Sequence, residues 1–312
     1  MLEMKDHVQW DQLIEAFLFA KRAIGIAKST HALYLSRLRI FRDFHFETNR
    51  PCRSPIECTS ACIQSFFVWL SANNRRLVTV NAHFRGLRTF FNWLSEIGLR
   101  KDNPMDNVKA PKPETPLPKT VTEEHFLMTM KQIDTSDPVQ IRWAALFALL
   151  FDTGARANEI LTLRVGDVDL KNRLLRIRGK GRKERIVPFG RTSAALLAKH
   201  LSILATQKQL TEESYIFQTA TGRPISVRHA HRRWQKLQRR AGLKPLPLHG
   251  LRHGFARAWL LSGGDAFSLQ LILGHTRAET TQRYVTLWAS DLQRKHAQYS
   301  PVDRLSLRIR EP

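Results

Sequence analysis

The sequence predicts a mainly α-helical fold with one small β-hairpin, divided into two domains. Apolar residues recur three and four positions apart through the first third of the chain, which is the period of amphipathic helices. A run with four prolines in ten residues, KAPKPETPLP at 109–118, can form neither a helix nor a central strand. Two short apolar segments flank a glycine-bearing turn in the second half. These features predict a helical domain at 8–97, a linker at 98–118 and an α+β domain at 119–312.

The first domain is predicted to be a bundle of four helices. Each helix is marked by a group of apolar residues at helical spacing, and the groups are centred on Phe17, Leu38, Phe67 and Phe90. Ser29 and Thr30 precede the second group, and one of them is expected to cap its helix. Gly98 follows the fourth group and is expected to end that helix, whose polar side carries Arg85 and Arg88.

The second domain is predicted to be mixed. The apolar run WAALFALLF at 143–151 indicates a buried helix. Strands at 174–177 and 185–189 enclose the turn RGKGRKE, which predicts a β-hairpin. Helices are expected at 194–204 and, densely basic, at 227–241, and the chain should be mainly helical from there to about residue 298.

The charge of the chain favours a polyanionic partner. Its 312 residues include 50 Lys and Arg against 27 Asp and Glu, a formal net charge of +23. The part from residue 109 onward holds 35 of the basic and 17 of the acidic side chains. An excess of this size favours nucleic acid over a merely solvated basic surface. No acidic residue interrupts 228–244, so the basic helix there is expected to face phosphates.

Cysteine content and hydropathy argue against disulfide-rich, zinc-binding, membrane and secreted proteins. Cys52, Cys58 and Cys62 form an odd set, which argues against a disulfide framework, and their C-x5-C-x3-C spacing lacks the second ligand pair typical of a zinc site. We therefore expect packing thiols in a reducing cytoplasm, with no metal and no cofactor. No apolar run reaches the roughly 18 residues of a membrane span, and the first ten residues do not resemble a secretion signal, so no membrane partner is expected.

The C-terminal part carries residues suited to chemistry on a phosphodiester. His249 and Arg252 lie in HGLRH, His275 lies in LGHT and Tyr284 ends TTQRY. The planar fork of arginine can bind two non-bridging oxygens, and a tyrosine can attack phosphorus. Taken singly, each residue has an ordinary alternative as an ion pair, a helix cap or a packed ring. The sequence offers no convincing carboxylate cluster for magnesium, which disfavours a metal-dependent nuclease.

The ordered motifs TGAR, GKGRKERIVP, HGLRH, LGHT and TTQRY strongly resemble those of the tyrosine recombinases, the phage-integrase and Xer-type site-specific recombinases. The resemblance covers nearly the whole chain, because STHALYLSRLRIF and LRTFFNWL resemble helices of the core-binding domain of that family. It implies a SAM-like four-helix core-binding domain and a tyrosine recombinase catalytic domain, which together form a C-shaped clamp on duplex DNA.

The resemblance assigns six catalytic positions: Arg156, Lys180, His249, Arg252, His275 and Tyr284. Tyr284 would attack the scissile phosphorus to form a 3′-phosphotyrosyl bond, while Arg156 and Arg252 would clamp the non-bridging oxygens. Lys180 would protonate the leaving 5′-oxygen, His249 would assist proton transfer near the tyrosine, and His275 would donate to the phosphate. Glu159 would orient the first arginine or a histidine. The phosphotyrosyl bond conserves the energy of the phosphodiester, so neither ATP nor metal is required.

Further basic residues are expected to contact DNA phosphates and groove edges. They are Arg85, Arg88, Arg176, Arg178, Arg182, Lys183, Arg228, Arg232, Arg233 and Lys236. The resemblance also implies a tetramer on two duplex DNA sites, of this chain alone or together with a paralogous recombinase.

Two other functions stay open at this stage: a DNA-binding relative that has lost catalysis, and a type IB topoisomerase that relaxes supercoils. All six catalytic residue types are present, which disfavours the first, and the separate helical domain disfavours the second. The biological role is open among chromosome dimer resolution, phage integration or excision, and transposon movement. Little sequence precedes Trp10, and no inserted domain separates Lys180 from His249, which favours a Xer-type or simple transposon recombinase.

Overall fold

The structure, a computed structural model, describes residues 2–48, 52, 54–112, 118–179, 184–274, 296 and 300. It divides into two compact units, Met1–Pro116 and Leu117–Pro312. The first unit contains α1 (Leu2–Ala23), α2 (Lys28–Glu47), α3 (Ser60–Ala72) and α4 (Leu77–Glu96). The second contains α5 (Glu123–Met130), α6 (Ile141–Thr153), α7 (Ala157–Leu161), a 3-10 turn (Val165–Asp167), β1 (Val168–Asp169), β2 (Leu174–Arg178), β3 (Glu184–Pro188), α8 (Arg191–Gln207), α9 (Val227–Arg240), α10 (Gly250–Leu261) and α11 (Ala266–Leu273).

The four helices of the first unit enclose an aromatic core. Phe17, Phe41, Phe66 and Phe90 are each fully buried. Their rings meet edge to face, with centroids 5.3 Å apart for Phe17 and Phe90 and 4.9 Å apart for Phe41 and Phe66. Such pairs contribute about 0.5–1.5 kcal/mol beyond the area they bury. The predicted four-helix domain is confirmed.

Two local expectations for this unit are wrong. Helix α2 begins at Lys28, and its N-cap Ala27 makes no side-chain hydrogen bond, so neither Ser29 nor Thr30 caps it. Both lie in the first turn instead, because the helix begins two residues earlier than a cap at Ser29 would require. The structure also joins two of the cysteines: the Sγ atoms of Cys52 and Cys62 are in bonding contact, and their Cα atoms are 7.1 Å apart.

The sheet of the second unit is antiparallel in the order β1-β2-β3. The predicted hairpin is present, with Leu175 opposite Val187 and Ile177 opposite Arg185. Leu175, Ile177 and Val187 are fully buried because alternate residues of a strand face the same side. The short strand β1 was not predicted, since two residues carry no readable period.

Helix α6 supplies the centre of the second core. Ten of its residues are buried, which matches the unbroken apolar run in its sequence. The helix ends at Gly154, whose φ of 59° lies in the left-handed region that favours glycine. This turn places the next residues, Ala155 and Arg156, at the start of α7. No helix in the described ranges is long and apolar enough to cross a membrane.

Candidate active site

Arg252 occupies the centre of the candidate site. Its side chain on α10 is buried, with only 3% of the residue exposed. One guanidinium nitrogen, Nη1, donates to the carbonyl of Gly154 at 2.8 Å, and Nη2 donates to the carbonyl of Leu273 at 2.9 Å. Those carbonyls close the C-terminal ends of α6 and α11, where the helix dipoles favour a cation. Arg252 therefore ties the TGAR turn to the turn that precedes His275.

The Glu159 carboxylate accepts two hydrogen bonds from Arg156 at the start of α7. The backbone N–H of Arg156 donates to Glu159 Oε2 at 2.8 Å, and its Nη1 donates to Oε1 at 3.0 Å. The Glu159 carboxylate is 6% exposed, whereas the Arg156 side chain is 47% exposed. A buried acid holding a half-exposed guanidinium is a positioning arrangement, unlike the surface ion pair that spacing alone would allow. The sequence-predicted supporting role of Glu159 agrees with this geometry.

Arg185 on β3 is the second partner of that carboxylate. Its Nη1 and Nη2 donate to Glu159 Oε1 and Oε2 at 3.2 and 2.8 Å, a bidentate pair. Its Nε donates to the carbonyl of Ile272 at 2.9 Å, near the end of α11. Burial alone would raise the pKa of Glu159, but hydrogen bonds from Arg185 and from the Arg156 backbone outweigh it and lower that pKa. The carboxylate is thus charged at neutral pH.

The basic neighbours of Arg185 around the hairpin, such as Arg176 and Arg182, are expected to contact phosphate, whereas the structure places Arg185 inside the site. The missed signal is strand periodicity. Arg185 lies two residues before Val187, which is buried, so both face the core side of β3. A guanidinium on that side needs a carboxylate partner, and Glu159 is the one it finds.

His249 is the N-cap residue of α10 and lies beside the two arginines. Desolvation, followed by the positive charges of Arg252 and Arg156, lowers the pKa of its imidazole. The ring of His253 packs against it edge to face, with centroids 4.6 Å apart. A neutral imidazole can accept a proton, which suits His249 to the proton transfer that the sequence predicted.

Two glycines allow α10 to approach the segment before α5. A Cβ added to Gly250 would lie 2.7 Å from the Lys119 carbonyl oxygen, and one added to Gly254 would lie 2.2 Å from that of Val121. The backbone N–H of Val121 also donates to the Gly250 carbonyl at 3.0 Å. The glycines of HGLRHG therefore fix the depth at which α10 presents His249 and Arg252.

Three of the six predicted catalytic residues, Arg156, His249 and Arg252, come together in the structure. The other three, Lys180, His275 and Tyr284, lie outside the described residues, as do Arg182 and Lys183 of the predicted DNA contacts. The structure describes the residues that border the gap at 180–183 and the residue that precedes the gap at 275. Arg178 and Glu184, which close the described part of the hairpin, pair in register, and Gly274 packs against the Arg185 side chain.

The predicted DNA-binding residues differ in their surroundings. Arg228, Arg232 and Lys236 are exposed and follow one another at four-residue intervals, so they share one face of α9. The opposite face of α9 buries Trp234 and Leu237. Arg85 and Arg88 of α4 and Arg176 of β2 are also exposed.

Two of the predicted DNA-binding residues already have partners within the protein. Arg178 forms ion pairs with Asp167 at 3.1 Å and Glu184 at 3.2 Å. Arg233 is half-buried, with its guanidinium 6.0 Å from the centre of the Trp143 ring. Both have less freedom to reach a phosphate than the exposed residues of α9.

Comparison with known proteins bears on the family of the chain. Residues 119–290 match the model of the phage integrase family, and residues 13–100 match the phage integrase N-terminal SAM-like domain. The tyrosine recombinase XerD of Listeria monocytogenes serotype 4b is 28% identical over 295 residues, which cover 93% of this chain and 99% of that protein. The tyrosine recombinase XerC of Escherichia coli O1:K1 is 30% identical over 246 residues, 78% of this chain and 81% of its own.

A solved structure shares the fold. The XerH site-specific recombinase, in a post-cleavage complex with a palindromic difH substrate, superposes with a TM-score of 0.73 at 20% identity, covering 94% of this chain and 85% of that one. The chain belongs to the phage integrase family. It is a tyrosine recombinase, an enzyme of site-specific DNA recombination, and the predicted family, fold class and enzyme class are confirmed.

Proposed function

We propose that this chain cuts and rejoins duplex DNA at a specific site through a covalent bond between Tyr284 and a 3′-phosphate. The observation that carries the proposal is the convergence of Arg156, Arg252 and the neutral His249 around one position, with Glu159 orienting the first arginine. Two fixed cations beside a proton acceptor suit the transfer of a phosphoryl group between oxygens.

The roles of the residues follow from the charge that develops on the phosphate. Arg156 and Arg252 stabilise the non-bridging oxygens, and their positions are preorganised, so little reorganisation is needed during the reaction. His249 takes part in removing the phenolic proton of Tyr284, whose ordinary pKa of about 10 makes it a poor nucleophile unaided. Lys180 protonates the 5′-oxygen that leaves, and His275 donates to the phosphate. The reaction uses neither ATP nor a metal, because the phosphotyrosyl bond replaces the phosphodiester bond.

Binding to DNA is assigned to both parts of the chain. Residues 8–97 form the core-binding domain, residues 119–312 form the catalytic domain and residues 98–118 link them. The exposed basic faces of α4 and α9 contact phosphates, and Arg176, Arg178, Arg182 and Lys183 do so around the hairpin. Arg233 supports α9 from its half-buried position.

The assembly is a tetramer on two DNA sites. A complete exchange between two duplexes breaks four strands, two in each duplex. Each chain supplies one Tyr284, so four chains are needed. The partners are therefore duplex DNA and further copies of this chain, with or without a paralogous recombinase. The reaction takes place on the nucleoid in the cytoplasm, where it serves dimer resolution, integration and excision, or transposition.

The nucleophile assignment is tested with a nicked duplex that loses its 5′-hydroxyl fragment after cleavage and traps the covalent complex. The wild-type chain should form a protein–DNA adduct that survives denaturation, and Tyr284→Phe should form none while keeping its DNA affinity. Tyr215→Phe is the matched control, because it removes a hydroxyl from the same unit and should leave adduct formation unchanged.

If Tyr284→Phe forms an adduct, the assignment of Tyr284 as the nucleophile is wrong. If the wild-type chain also forms no adduct, the protein binds DNA without catalysis. Relaxation of supercoiled DNA that lacks any preferred site would indicate a topoisomerase. Recovery of the bound site from genomic DNA fragments by cleavage mapping would identify the substrate.

A further inference from the structure

A second cluster of chemically competent side chains lies in the first unit, remote in sequence from the catalytic motifs. His45 belongs to the last turn of α2, and Cys52 and Cys58 follow it in the connection to α3. One ligand atom from each, the imidazole nitrogen and two Sγ atoms, lie within 4.8 Å of one another. The Cys58 Sγ atom is 4.0 Å from His45 Nε2. All three residues are buried, at 2%, 3% and 0% exposure.

Cys62 lies next to this cluster. It lies in the first turn of α3, and its Sγ atom contacts that of Cys52. Two sulfurs and one imidazole nitrogen therefore converge, and the sulfur of Cys62 lies beside that of Cys52. All four residues come from one short stretch of chain, H-x6-C-x5-C-x3-C. Ligand atoms bonded to a tetrahedral zinc ion at about 2.0–2.3 Å are roughly 3.5–3.8 Å apart, which is close to the separation of Cys58 Sγ and His45 Nε2.

We propose that His45, Cys52, Cys58 and Cys62 bind one structural zinc ion. Cys₃His is an established donor set for closed tetrahedral zinc sites. Binding converts three thiols to thiolates and releases their three protons to solvent, while the imidazole binds through its neutral nitrogen. This inference departs from the sequence-based expectation of no metal. That expectation weighed the cysteine spacing alone and did not include His45, which helix α2 carries to the same place.

A disulfide between Cys52 and Cys62 is the competing state, and two features favour the metal. The 7.1 Å between their Cα atoms exceeds the usual disulfide range of about 4.4–6.8 Å. A disulfide would also use only Cys52 and Cys62 and leave Cys58 and His45 facing one another. In a reducing compartment, cysteines clustered in this way bind metal more often than they form bridges.

The surroundings suit a metal centre that carries negative charge. Three thiolates and a neutral imidazole around a dication leave a net charge of about −1. The Arg100 side chain is 6% exposed and lies close enough for its charge to act on Cys58. It is held there by Nη1, which donates to the carbonyls of Pro55 and Ile56. The His45 ring stacks on Trp10, with centroids 5.8 Å apart, so the orientation of this ligand is fixed.

The site would join the end of α2 to the start of α3. Both helices contribute to the aromatic core of the first unit, through Phe41 and Phe44 on one side and Ile63 and Phe66 on the other. A metal that holds their connection binds only the folded chain and stabilises it. Its failure to bind would leave the recombinase assignment untouched, since no catalytic residue belongs to the cluster.

The test measures metal in the full-length chain, purified with a phosphine reductant and without chelator. We expect one zinc ion per chain by mass spectrometry of the elements. Cobalt substituted for zinc should give thiolate-to-cobalt charge-transfer bands and the intense visible bands of tetrahedral coordination. Zinc should also protect all three cysteines from alkylation. A reduced chain that takes up neither metal, or a chain whose cysteines alkylate equally with and without zinc, overturns the proposal.

Variants separate ligation from folding. Cys58→Ser and His45→Gln should lose the cobalt spectrum, whereas His45→Cys should keep tetrahedral binding with a fourth thiolate and stronger charge transfer. His83→Gln is the matched control, because His83 is equally buried in the same unit but lies outside the cluster, and it should leave the cobalt spectrum unchanged. Should Cys58→Ser fail to fold, His45→Cys and the wild-type metal content still decide the question. A Cys52–Cys62 crosslink that persists under reductant, with Cys58 free, overturns it as well.

Discussion

At the scale of single residues, Arg185 of β3 joins three elements, because it contacts α7 through Glu159 and α11 through Ile272. It binds both oxygens of Glu159 and the carbonyl of Ile272, and Glu159 in turn holds Arg156. Because Arg185 acts through Glu159, it is a positioning residue. A phosphate contact and a positioning contact have different kinetic consequences, and the two can be told apart.

We expect Arg185→Gln to lower the single-turnover rate of strand cleavage about 10–100-fold, because a hydrogen bond to a charged group contributes about 1.5–3 kcal/mol. DNA affinity and its salt dependence should change little, and Arg185→Lys should recover part of the rate. Arg191→Gln, which removes an exposed arginine from the same unit, is the control for loss of charge. If Arg185→Gln instead binds DNA more weakly, with a smaller salt dependence and an unchanged cleavage rate, Arg185 is a phosphate contact.

The pH dependence of cleavage should reflect His249. Since the pKa of this imidazole is lowered, the neutral form persists below the ordinary value of about 6.5. The group is therefore ready to accept a proton at neutral pH, and this ability is lost as the pH falls through the lowered pKa. The cleavage rate at subsaturating enzyme should stay level from pH 8 to about 6.5 and decline only below it. A decline centred above pH 6.5 would contradict the lowered pKa.

At the scale of elements, α10 can pack closely against the backbone of the segment before α5 only because two of its residues are glycines. Gly254→Ala would bring a Cβ to 2.2 Å from the Val121 carbonyl oxygen, which belongs to the backbone and cannot move aside cheaply. We expect a loss of about 1–3 kcal/mol in the free energy of unfolding, measured by denaturant titration. Gly86→Ala on α4 is the control, because the new Cβ would meet the flexible Arg37 side chain at 3.2 Å. Equal stability of both variants would contradict the proposed tight packing of α10.

Most helices and strands were predictable from the sequence because their apolar residues recur at a regular spacing. The aromatic spacing of α4 and the apolar run of α6 each indicated a helix, and the glycine turn indicated the hairpin. The site was predictable only as an ordered set of residues, since a histidine or arginine alone has an ordinary structural alternative. What local patterns could not supply were contacts between distant elements: Arg185 with Glu159, and His45 with Cys58.

At the scale of the whole molecule, a net charge of +23 should make DNA binding strongly dependent on salt. The exposed stripe of α9 is expected to contribute directly, so Arg232→Gln with Lys236→Gln should reduce the slope of log affinity against log salt by about 2. Fluorescence anisotropy between low and moderate salt measures that slope. Arg239→Gln with Arg240→Gln, at the end of the same helix, tests whether position or total charge matters. Equal reductions in both double variants would assign the effect to total charge.

The bonds of Arg252 to the last carbonyls of α6 and α11 have a practical consequence. A buried cation that fastens two helix ends will be kept by selection for folding even where strand cleavage has been abandoned. The presence of Arg252 in a related sequence is therefore weak evidence that the protein cleaves DNA. Replacing Arg252 is also a poor way to make an inactive DNA-binding protein, because the fold would be destabilised. Under the proposed mechanism, the hydroxyl of Tyr284 is the better group to remove, because its loss alters a single reacting atom.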